Sequence, residues 1–117
     1  MKKLIVVSAM LMAGCSSTSA FDFNKEEDCY LASYAFVQGV AGKLDQESVI
    51  SAMVKPYQNG KVAINLDGSQ HFLSPTCEAA ASVATSHAMQ KWPITKGEVV
   101  TYYFQINQPL NKALGIK

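Results

Sequence analysis

Hydrophobic positions along the chain change their period several times, and each change predicts an element. Leu4 to Ala13 form an apolar run broken only by Ser8, with no amphipathic period. Further on, Cys29, Phe36 and Val40, with Tyr30, Tyr34, Val37 and Ala41, make two adjoining stripes at helical spacing. They predict a helix over 25–41, with Asn24 as N-cap and Glu26, Glu27 and Asp28 as first-turn charges. A second start at Asp45-Gln46-Glu47 precedes Val49, Ile50, Met53, Val54 and Tyr57, an amphipathic stripe that should end near Pro56. The period then falls to two. Val62, Ile64 and Leu66 alternate with Lys61, Ala63 and Asn65, Asp67-Gly68 is a hairpin turn, and 69–73 is the return strand. Ser74-Pro75 reads as N-cap and first helical residue of an alanine-rich helix running to about Lys91. Its small residues Ala80, Ala84 and Ala88 would let it lie close to a sheet.

Trp92-Pro93 and Lys96-Gly97 then suggest a break and a turn. Val99 to Asn107 is rich in β-branched and aromatic residues and predicts a final strand. Val100, Tyr102, Phe104 and Ile106 would share one face, and Val99, Thr101, Tyr103 and Gln105 the other. The tail after Pro109 is expected to be loosely held. The predicted order is α-α-β-β-α-β: an α+β fold with a three-stranded antiparallel sheet and helices packed on one face.

The apolar run at the start is too short to cross a bilayer, which takes roughly 20 residues. Preceded by Lys2 and Lys3, it fits the core of an export signal. It ends in Leu11-Met12-Ala13-Gly14-Cys15, which resembles the lipobox of bacterial lipoproteins, and Ser16-Ser17-Thr18-Ser19 follow. Small Ala13 and Gly14 suit a peptidase cleft, and the Cys15 thiol can accept a diacylglycerol. The competing reading is an ordinary signal cut after Thr18-Ser19-Ala20. The resemblance implies a signal peptide at 1–14, a lipid tether at 15–23 and one periplasmic domain at 24–117. Serine directly after the cysteine implies transfer to the outer membrane, with the domain on its periplasmic face.

Once Lys2 and Lys3 are removed, eight lysines face nine acids, and the chain contains no arginine. Bidentate arginine contacts to phosphate are therefore impossible, and no lysine cluster replaces them, which argues against a nucleic-acid partner. With Cys15 lipidated, Cys29 and Cys77 remain, and two thiols in an oxidising compartment predict a disulfide. A metal pair would need more ligands than His71 and His87 supply, and a redox pair usually has C-x-x-C spacing, which is absent.

From Gln46 to about Gln108 the order of features resembles the C-terminal domains of TolA and TonB. An amphipathic helix, the strand Gly60-Lys61-Val62-Ala63-Ile64-Asn65-Leu66, the Asp67-Gly68 hairpin, the helix start Cys77-Glu78-Ala79-Ala80-Ala81, Trp92-Pro93, a turn at Gly97 and a long last strand follow in sequence. The resemblance implies that family's α+β fold and binding of envelope proteins by strand addition. In TolA the helix-start cysteine pairs within the preceding strand, where this chain has Ala63 or Asn65.

The functional expectation is a lipid-anchored protein-binding module of the cell envelope. A periplasmic or outer-membrane partner would add a strand along Val99, Thr101, Tyr102, Tyr103 and Gln105. The alternative is a pilot, assembly or immunity-type lipoprotein that uses a groove between the first two helices. His71 and His87, with Ser74, Ser82, Ser86 and Glu78, could supply an enzyme's groups, but no spacing fixes their geometry. No catalytic residue, metal, cofactor or small-molecule substrate is expected.

Overall fold

The computed structural model describes residues 26–64 and 70–115. The lipobox with Cys15, the signal and tether at 1–23, Asn24 and the Asp67-Gly68 turn lie outside them. Among the described residues the order is α1 (Glu27–Val40), α2 (Gln46–Gln58), β1 (Val62–Ile64), β2 (Gln70–Phe72), α3 (Pro75–Lys91) and α4 (Lys96–Ala113). The predicted α+β fold with a three-stranded sheet is therefore overturned: the domain is mostly helical, with one short hairpin. Val62 pairs with Phe72, Ala63 with His71 and Ile64 with Gln70.

Local chemistry explains most boundaries. Asp45 caps α2 by accepting from the Ser48 N–H at 3.0 Å. Ser74 Oγ accepts from the Cys77 N–H at 3.2 Å, and Pro75 follows in the first helical turn of α3. α2 runs two residues past Pro56, which lies buried inside its last turn. α1 is preceded by Glu26, whose side chain makes no cap.

The largest departure is at the C-terminal end, where the segment expected as a strand is a helix. Thr95 and Glu98 form a reciprocal capping box: Thr95 Oγ1 accepts from the Glu98 N–H at 3.1 Å, and Glu98 Oε1 accepts from the Thr95 N–H at 2.8 Å. From there Tyr102, Tyr103, Ile106 and Leu110 recur at helical spacing, and Ile106 and Leu110 are fully buried. The tail expected to be loose is thus part of the core as far as Leu110. Pro109 has no N–H to give the Gln105 carbonyl one turn back, and Gln46 Nε2 donates to that carbonyl instead, at 3.4 Å.

α1 lies at the centre, packed along both α2 and α3, and α4 rests mainly on α2. The buried stripe Ala80, Ala84, Ala88 faces α1, its dominant neighbour, rather than a sheet. Small side chains on both helices let the backbones approach. The Cys29–Cys77 disulfide joins them with the Cα atoms 5.4 Å apart. Gly39 permits a second close approach: a Cβ there would stand 2.4 Å from the Tyr102 hydroxyl of α4 and 2.8 Å from Val49 Cγ2 of α2.

Candidate functional site

The helices do not close completely over the hairpin. An apolar cavity of about 300 Å³ remains between them, with the disulfide in its wall. Ser33, Phe36 and Val37 of α1 face Met53 and Tyr57 of α2 across it. Thr85 and Met89 of α3, Phe72 of β2 and Tyr103 of α4 complete the enclosure. Phe72 and Met89 are also substantially exposed, which places them at the mouth. Gln70 Nε2 donates to the Tyr103 hydroxyl at 3.2 Å, tying the hairpin to α4. Among the described residues no lining side chain is an acid, a lysine or a histidine. The Tyr57 hydroxyl is buried without a hydrogen-bond partner among the described residues. Burial, with Tyr103 adding to it, pushes that phenol well above its ordinary pKa. The cavity therefore suits an uncharged, apolar guest.

Beside the disulfide sits a charged knot. Lys61 Nζ lies 2.8 Å from Glu26 Oε1 and 2.9 Å from Asp28 Oδ1. Asn59 donates to Asp28 at 2.6 Å, the Cys29 N–H donates to Asp28 at 2.9 Å, and Ser74 and Thr76 hydroxyls donate to Glu26. Burial alone would raise both carboxyls. The hydrogen bonds and the Lys61 charge outweigh it, so both are held below their ordinary values. Glu26, Asp28 and Cys29 present three ligand atoms within 4.8 Å of one another. The Cys29 sulfur is committed to the disulfide, and both carboxylates are already engaged by Lys61 and by the Asn59, Ser74 and Thr76 donors, so the group reads as structural.

The two histidines are not brought into a catalytic set. His71 is exposed on β2 opposite Ala63. His87, exposed on α3, shares a hydrogen bond of 2.9 Å between Nδ1 and the Tyr30 hydroxyl. Tyr30 stacks on Tyr34, which meets Trp92 edge to face, so this aromatic row closes the α1–α3 seam. Ser74 is a helix cap, while Ser82 and Ser86 are exposed on α3.

The residues expected to form a binding edge all lie on α4, so strand addition along them is ruled out: a helix satisfies its own backbone N–H and C=O groups. Their roles diverge. Tyr102 packs under Gly39 and edge to face on Phe36, and Val99 and Tyr103 line the cavity. Thr101 and Gln105 face solvent. Beside them Val100 is 46% exposed and Phe104 73% exposed, one helical turn apart. Reading the segment as a strand hid that pair, and the Thr95-x-x-Glu98 signature was the signal that could have revealed it. Lys61 was likewise legible only as a strand residue. Among the described residues no helix is long and apolar enough to cross a membrane.

No family model matches the chain, and no curated protein or solved structure matches it either.

Proposed function

We propose that the chain is a lipid-tethered module on the periplasmic face of the outer membrane, acting by protein–protein interaction through the outward face of α4. Acylation at Cys15 supplies the tether, and stable anchoring follows when more than one acyl chain is carried. The observation that carries the contact is the exposure of Phe104, with Val100 one turn before it, on a helix whose opposite face is buried in the domain. Thr101 and Gln105 flank this ridge with polar groups. Such a helix fits an apolar groove of a partner, with the i and i+4 side chains as anchors.

The pilot or assembly reading draws on a different feature, the cavity bordered by α1 and α2. Deleting the first helix does not discriminate the two, because α1 is the centre of the packing. A photo-crosslinking residue placed at Phe104, and separately at Met89 on the cavity mouth, does. Under the α4 reading, intact cells yield one specific partner from position 104. Val100→Ser, with the crosslinker kept at 104, then removes that capture without lowering the melting temperature. Capture from Met89 alone would transfer the function to the cavity mouth. An N-terminus at Phe21 without lipid, found by mass spectrometry, would refute the tether.

A further inference from the structure

We propose that the cavity seats one acyl chain of the lipid carried by Cys15 of the same molecule. This rests on the acylation proposed above. The first support is chemical. With no acid, lysine or histidine among the described residues of its wall, the cavity offers those residues' apolar surface and no partner for a charged headgroup. A hydrocarbon chain seated there stays out of water, as it does in the bilayer. The second is size. About 300 Å³ is roughly twice the ~150 Å³ of an apolar cavity that stays dry and admits benzene, so it suits a length of unbranched chain. Met53 and Met89, themselves unbranched and pliable, can adapt their shape to such a guest.

The third support is connection. Cys15 stands 11 residues before Glu26, a reach of up to roughly 35 Å when extended, and Cys29 is already in the cavity wall. Seating is thus intramolecular, at an effective concentration in the millimolar range set by a short flexible linker. The remaining lipid on the cysteine keeps the anchor.

The mature chain itself provides the probe, because its only methionines are Met53 and Met89, and both line the cavity. Cells are grown with a diazirine analogue of methionine, their membranes are irradiated, and the protein is reduced and digested with trypsin. The expected product joins the acyl group of the Cys15–Lys25 peptide to the peptide carrying Met53 or Met89, in protein of monomeric mass. Ser33→Phe, which fills the cavity, should reduce that product to background, and Thr85→Leu serves if Ser33→Phe fails to fold. Diazirines linked instead to phospholipid, to free fatty acid, to a second copy's lipid or to another protein would overturn the inference, as would no link at all. The mass of the same Cys15–Lys25 peptide reports acylation independently: an acylated peptide without the link sinks only the seating, while an unmodified one removes both readings.

Discussion

Replacing Lys61 with methionine isolates the charged knot beside the disulfide. The Glu26 and Asp28 side chains are only 7% and 11% exposed, and Lys61 is 23% exposed. Removing one partner of a buried ion pair costs ~3–5 kcal/mol because the charge left behind is uncompensated. Here the carboxylates keep donors from Ser74, Thr76, Asn59 and the Cys29 N–H, and water already reaches Lys61. The lower end applies, about 3 kcal/mol near neutral pH. The pH response should also weaken. With Lys61 present, both carboxyls are held below their unfolded values of 4.5 and 3.8. Their contribution is complete above those values and is lost as pH falls through the depressed folded ones. Without Lys61 the remaining hydroxyl, amide and backbone donors alone oppose burial, so the folded values move back up toward the unfolded ones and less stability is lost as pH falls across the same region. Denaturant unfolding of both proteins at a series of pH values reads both effects. A loss under ~1 kcal/mol with an unchanged pH slope would show that solvent already screens the knot.

Further outcomes follow from packing and capping. Gly39→Ala gains about 1 kcal/mol of helix propensity, but its Cβ meets the rigid Tyr102 ring and buried Val49, an overpacking cost of ~1–3 kcal/mol, so the melting temperature should fall. Tyr102→Phe removes a buried hydroxyl that lacks a partner among the described residues and should leave stability unchanged or higher in the same melt. Replacing both Cys29 and Cys77 by alanine opens a 48-residue separation and should cost about 4 kcal/mol in denaturant unfolding. Thr95→Ala should cost ~1 kcal/mol through loss of the cap, read by denaturant unfolding. Thr101→Pro should cost ~3 kcal/mol or more and reduce helical circular dichroism, an effect an edge strand would not show.

Legibility in the sequence followed the locality of each signal. The starts of α2 and α3 rest on Asp45, Ser74 and Pro75, whose side chains or rings act within three residues, and these were readable. The Cys29–Cys77 bridge was readable from the cysteine count and the oxidising compartment that the leader predicts. The run Val99–Asn107 carries both a two-residue and a helical period, and its β-branched and aromatic composition favoured the strand. What decided against it is partly local, the Thr95–Glu98 box, and partly distant. The hairpin strands are three residues long and offer little edge to a third strand, whereas Ile106 and Leu110 gain full burial by turning inward as a helix.

By itself, then, the sequence determined the caps of α2 and α3, the hairpin, the cysteine pairing and the apolar leader that motivates the proposed tether, because each depends on neighbours in the chain or on composition. Only the tertiary structure decided that α4 turns Ile106 and Leu110 into the core, that Lys61 holds two acids from another element, and that the described side chains of four helices and a hairpin leave an uncharged cavity. Those outcomes depend on which surfaces meet, and burial of Leu110, the Gln46 bond to the Gln105 carbonyl and the approach at Gly39 all join residues far apart in sequence.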